Sequence, residues 1–98
     1  MTPPELTDDG HHVVVAGRRW RATDPAIPEE RRQELTNALM AWRRAVRDTK
    51  GTPREREARD GVQAAKLALG ERGTPPWWEQ DLEQRRARWS QAVPVPDA

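Results

Sequence analysis

Apolar residues recur at spacings of 4, 3 and 4 along Leu35, Leu39, Trp42 and Val46, and again along Ala58, Val62, Ala65 and Leu69. Each set marks one apolar stripe on a helix, with polar positions filling the opposite face. The first helical pattern begins after Pro28, with Glu29 and Glu30 in the turn where the helix dipole favours acids, and Gly51 ends it. Thr52-Pro53-Arg54-Glu55 then has the form of a capping box with proline at the first helical position, so a second helix starts at once. Two matching stripes across a tight turn predict an antiparallel helical hairpin. Gly61 lies within the second stripe, where it weakens the helix by about 1 kcal/mol relative to alanine, a loss that close approach of the two helices offsets.

The period changes upstream. Val13-Val14-Val15, Ala16-Gly17 and Arg18-Arg19-Trp20-Arg21 read as two short strands joined by a two-residue turn. In that register Val15 faces Arg18 and Val13 faces Trp20, which puts His12, Val14, Arg19 and Arg21 on the other side. A lone hairpin is marginal in water, so Val13 and Trp20 need helices to lie against. Gly70 or Gly73 ends the second helix, and Thr74-Pro75-Pro76 opens a third in which Trp78, Leu82 and Trp89 fall near one face. Arg85, Arg86 and Arg88 gather near the basic end of that helix.

The predicted fold is mainly α, of the α+β kind: an N-terminal two-stranded β-hairpin packed on a three-helix bundle, with the antiparallel helical hairpin at its centre. The expected core is Val13, Val15, Trp20, Leu35, Leu39, Trp42, Val46, Val62, Leu69, Trp78 and Leu82. Residues 11–91 form the single domain. Residues 1–10, acidic and proline-containing, read as a disordered leader, and residues 92–98, with alternating valine and proline, as a disordered tail.

Composition narrows the function classes. A chain of 98 residues has room for one core, and five tryptophans carry all of its aromatic area. The absence of cysteine excludes disulfides and thiolate metal sites, which points to a reducing, cytoplasmic home. No apolar run approaches the length that crosses a bilayer, so no membrane partner is expected. Net charge is only +1, short of what a dedicated nucleic-acid module carries, yet residues 43–72 hold nine cations against five acids.

Candidate chemistry is sparse. Asp8-Asp9-Gly10-His11-His12 offers oxygen and imidazole donors, but adjacent histidines on a strand point to opposite faces and no third histidine exists, so no metal is expected. Neither cysteine nor tyrosine is present, and Ser90 is the single serine. The carboxylate groups Glu29, Glu30, Glu34 and Glu79, Asp81, Glu83 sit mostly in helix first turns, which accounts for them without an active site. No phosphate-cradling glycine loop occurs, and neither catalytic residues nor a cofactor is expected.

Two binding surfaces are candidates. Arg19 and Arg21 project from one hairpin face with no acid between Gly10 and Thr23, and Trp77, in Pro75-Pro76-Trp77-Trp78, is the bulky aromatic for which so small a core has little room. Arg19, Arg21 and Trp77 together suggest protein–protein recognition. The alternative is weak nucleic-acid association through two helical stripes, Arg43, Arg47 and Lys50 on one helix and Arg56, Arg59 and Lys66 on the next. Protein recognition is the preferred expectation, because acidic first turns interrupt the basic stripes.

The run Gly17 to Pro28 (GRRWRATDPAIP), with Ala64 to Gly73 (AAKLALGERG) and the Trp77-Trp78 pair, resembles a family of short bacterial proteins often labelled "biopolymer transporter Tol". The resemblance spans roughly residues 13–89. It implies a small bacterial protein and carries no activity, cofactor or site residue over to this chain. The expected function is therefore a non-enzymatic binding or adaptor domain.

Overall fold

Both apolar stripes form helices. In the computed structural model, which describes residues 5–96, helix α1 spans Glu29–Thr49 and helix α2 spans Glu55–Leu69. Leu35 and Leu39 of α1 share a buried cluster with Ala65, Ala68 and Leu69 of α2, while Trp42 lies directly on Gly61. Early residues of one helix thus meet late residues of the other, as an antiparallel hairpin requires. Ile27 and Trp89 close the same cluster from outside the pair.

The start of α2 differs from the expected capping box. The Thr52 hydroxyl accepts from the Arg54 N–H at 3.2 Å and donates to the Thr49 carbonyl at 2.6 Å. Glu55 reaches back to the Gly51 N–H at 2.8 Å, so regular helix begins two residues beyond Pro53. At the other end Gly70, at φ 82°, takes the left-handed conformation that ends the helix, and the Gly70 and Glu71 N–H groups satisfy the Leu67 and Lys66 carbonyls.

The third helix is shorter and later than expected. Trp77–Glu79 forms only a 3-10 turn, and helix α3 runs from Leu82 to Trp89. Asp81 and Gln84 set its start through a reciprocal capping box: the Asp81 carboxylate accepts the Gln84 N–H at 2.8 Å and the Gln84 side chain accepts the Asp81 N–H at 3.0 Å. An eight-residue helix makes about two turns, so the three-helix bundle is corrected to a long helical hairpin with a short helix packed against α2. This phase buries Trp89 and leaves Leu82 exposed, contrary to its expected place in the core.

The two-stranded hairpin is also corrected. Strands β1 (Glu5–Leu6), β2 (His12–Val15) and β3 (Arg18–Arg21) form an antiparallel sheet in the order β1-β2-β3. Its β2–β3 register pairs Val13 with Trp20 and Val15 with Arg18, as the turn predicts, and Ala16 (φ 52°) and Gly17 (φ 77°) form that turn. The third strand comes from the segment read as a leader, where Leu6 pairs with Val13. Residues 1–4 of that segment, and 97–98 of the expected tail, lie outside the described residues.

The sheet is fastened near the open ends of β2 and β3, away from the turn. His11 stacks on Trp78 with ring centroids 4.2 Å apart, Arg21 donates to the Gly73 carbonyl at 2.8 Å, and the Trp77 indole N–H donates to the Ala22 carbonyl at 2.9 Å. All three anchors hold the sheet to the segment between α2 and α3. Val15, next to the turn, and Trp20, beside the Arg21 anchor, were both expected in the core and are exposed. Val13, Val46, Val62 and Trp78 are partly exposed. Alanines supply much of the core instead: Ala22, Ala38, Ala58, Ala65 and Ala68 are all buried.

Candidate functional site

Among the described residues Asp24 is the most completely buried charge, with no exposed surface, and sequence reasoning did not single it out. It lies between the sheet and α1, where its N–H donates to the Leu69 carbonyl at 3.0 Å and its carboxylate accepts the Ala26 N–H at 2.9 Å. Arg85 donates to it through both Nε and Nη2, and Arg88 through Nη2. Arg88 also binds the Gln80 side chain at 2.6 Å and the Ala68 carbonyl at 3.3 Å. Burial alone pushes the Asp24 carboxyl up, but the hydrogen bonds from Arg85, Arg88 and Ala26 prevail and hold it below the usual carboxylate range. This cluster is internally satisfied and joins the start of the fold to its last helix. It leaves no lone pair aimed at solvent chemistry.

The open surface lies on the other side of α2. Arg43 and Val46 of α1 and Arg59, Asp60, Val62, Gln63 and Lys66 of α2, with Arg72 beyond it, line a groove of about 700 Å³. Arg43 and Lys66 also line an adjoining cleft of about 410 Å³, whose other walls include Val13, Val15, Trp20 and Leu39. The two spaces share Arg43 and Lys66 on their walls and are taken together as a channel, cationic along the helices and lined mainly by apolar side chains, with Arg21, Thr23 and Glu71, beneath the sheet. Trp20, 43% exposed, stands at the apolar end with the Arg18 guanidinium 4.6 Å and the Lys66 ammonium 5.8 Å from its ring centre.

Charge in this channel is unbalanced. Arg59 is paired with Glu55 at 2.7 Å, Arg72 donates to Gln63, and Glu71 accepts the Thr23 hydroxyl at 2.8 Å. Arg43 and Lys66 have no carboxylate partner among the described residues. Burial, together with the nearby Arg72 and Arg43 guanidiniums, pushes the Lys66 ammonium below its ordinary value, and Glu71 opposes the shift only in part.

The expected site residues separate accordingly. Arg43, Arg59 and Lys66 come together across the helical hairpin, whereas Arg47, Lys50 and Arg56 do not line the channel. Arg47 pairs instead with Asp48 at 3.1 Å. Trp77 is corrected as a partner-binding residue: it is only 7% exposed and its N–H is used internally. Arg21 is engaged by Gly73 and lies over Trp78, which leaves Arg19 as the exposed member of that proposed surface. Arg72 and Trp20 are the channel residues that sequence reasoning missed. The legible signal for Trp20 was its place beside three arginines on a short strand.

The remaining candidate groups have local structural uses. Asp9 accepts from the Thr7 hydroxyl at 2.6 Å and the His11 N–H at 2.9 Å, Glu29 pairs with Arg32, and Asp81 caps α3. Among the described residues no helix is long and apolar enough to cross a membrane, and no group of three or more His, Asp or Glu side chains is placed to hold a metal ion. Comparison with family models, with curated proteins and with solved structures finds no match to this chain.

Proposed function

We propose that this chain is a non-catalytic binding domain that holds an anionic partner in the channel between the helical hairpin and the sheet. The observation that carries this reading is the placement of Arg43 and Lys66, cations from two different helices, on the walls of the same concave spaces with no ion-pair partner for either among the described residues, although Asp60 and Glu71 also line those spaces. Like charges brought together this way repel, and an incoming anion relieves that repulsion while forming charge-assisted hydrogen bonds. Burial is the first cause that lowers the affinity of Lys66 for its proton, and the nearby Arg72 and Arg43 guanidiniums, which add to it, belong to the same unbalanced field. Protein recognition through Arg19, Arg21 and Trp77 has weaker support, since two of those three side chains have internal partners.

The reading as a binder rather than an enzyme rests on how the acidic groups are used. Asp24 is taken up by two guanidiniums, Asp81 by a helix cap and Glu55 by the Gly51 N–H and Arg59. The test is titration with inorganic polyphosphate, a polyanion without bases or side chains, at low ionic strength. The native chain binds it, binding weakens as salt rises, and the Arg43→Gln, Lys66→Gln double variant loses most of the affinity. Equal affinity in the native and double-variant proteins overturns the assignment of the channel.

A further inference from the structure

We propose that the partner is a single-stranded polynucleotide, with one base laid against Trp20 and neighbouring phosphates on Arg43, Lys66 and Arg72. This rests on the anionic-partner reading above and goes further by naming the chemistry of the partner. A polyanion alone accounts for the cations but not for the apolar half of the channel. Val13, Val15, Trp20 and Leu39 present apolar side chains next to the cationic helices, in a cleft that Arg21, Thr23 and Glu71 also line, and a nucleotide is the anionic unit that carries a flat, weakly hydrated face beside its charge.

Trp20 has the properties of a stacking platform. It is 43% exposed even though the strand is held close beside that position, by Arg21 on Gly73 and, across the ladder, by His11 on Trp78. The Arg18 guanidinium over the ring is itself on an exposed residue, free to swing aside or to sandwich a base, since guanidinium planes and bases stack on the same surfaces. A duplex keeps its base faces inside the helix and offers none to Trp20, so the single strand is the form that uses both halves of the channel. An acidic peptide meets the same cations, but its aliphatic side chains gain little from an indole that leucine would not provide equally.

The experiment is fluorescence polarisation with labelled oligo(dT) and oligo(U) of about 12 nucleotides, and with labelled polyglutamate and polyphosphate of similar charge. Native protein, Trp20→Leu, Trp20→Phe and the Arg43→Gln, Lys66→Gln double variant are compared, each checked for native circular dichroism. Trp20→Leu keeps an apolar side chain and removes the ring; it is expected to weaken oligonucleotide binding by roughly 5- to 150-fold while leaving polyphosphate binding unchanged. Trp20→Phe retains most of the affinity. The double variant lowers the slope of log affinity against log salt by about 1.4, from about 0.7 per phosphate contact on a single strand. A preference for oligo(U) or for oligo(dT) supports the proposal, and labelled oligo(dU) then separates the sugar from the thymine methyl group.

Two results overturn it while leaving the anion site standing: oligonucleotide binding by Trp20→Leu equal to that of the native chain, or polyglutamate binding as tight as either oligonucleotide. Failure of the native protein to bind polyphosphate as well removes the underlying reading.

Discussion

Replacing Gly61 by alanine tests how closely the two long helices approach. On an isolated helix the change is favourable by about 1 kcal/mol, because alanine is the best helix former and glycine among the worst. Here a Cβ at position 61 overlaps the indole atoms Cγ, Cδ2 and Cε2 of Trp42, well inside the 3.0 Å that real Cβ atoms keep. The ring has little freedom to yield, since it is buried and its N–H donates to the Pro94 carbonyl at 2.6 Å. Overpacking of this kind costs roughly 1–3 kcal/mol and sometimes more, with the helices forced apart along a seam that also holds Leu39 and Ala65. With a clash this close the cost falls in the upper part of that range, so after the propensity gain Gly61→Ala is expected to destabilise the fold by about 1–2 kcal/mol, or roughly 4–16 °C in Tm for a domain of this length. Urea denaturation followed by tryptophan fluorescence, with thermal melts by circular dichroism, measures it. A double-mutant cycle with Trp42→Leu isolates the cause, since without the indole the alanine loses its main clash and the two changes couple strongly. A Gly61→Ala protein as stable as the native chain, or more so, refutes the close approach.

Asp24→Asn removes the buried charge that two partly buried guanidiniums share, and urea midpoints should report a loss of about 3–5 kcal/mol. Because the folded-state pKa of Asp24 lies below its ordinary 3.8, its contribution is present above that pH and is lost as pH falls through the lower folded value, so acid titration of native stability should show a component below pH 3.8 that Asp24→Asn lacks. Deleting residues 93–98 takes away Val93 from the core edge and the Pro94 carbonyl from the Trp42 indole, and thermal melts should fall by about 1–3 kcal/mol in equivalent stability, whereas an unchanged Tm would mean that the tail contact contributes nothing.

Local pattern was legible and long-range partnership was not. The hairpin register follows from a two-residue turn, and both helical stripes follow from apolar spacing, so Val13 opposite Trp20 and Leu35, Leu39 and Trp42 in the seam were readable. Gly61 was readable as a cost in want of a reason, and Trp42 is the reason. Asp24 was hidden because nothing near it in the chain marks it for burial; its partners lie 61 and 64 residues away. The exposure of Trp20 was hidden because the strand pattern does not tell how closely the helices approach the face it occupies. Arg43, Arg59 and Lys66 were visible as members of two stripes, but only the packing of α1 on α2 selects these three and adds Arg72.

The Asp24 clamp has a consequence for how the chain acquires its shape during synthesis. A nascent chain emerges amino end first, so the sheet and the helical hairpin have the opportunity to form while Arg85 and Arg88 are still unmade. Throughout that interval the Asp24 carboxylate has only water and its own neighbouring N–H groups to hold, and no reason to leave solvent. Its withdrawal into the interior waits for the last helix, because a lone carboxylate is costly to bury and a paired one is not. The interaction that joins the two ends of the molecule is thus among the last to be made, and a chain cut short before Arg85 keeps the anchors at Gly73, Trp77 and Trp78 but not the charge clamp that ties the segment after the sheet to the last helix.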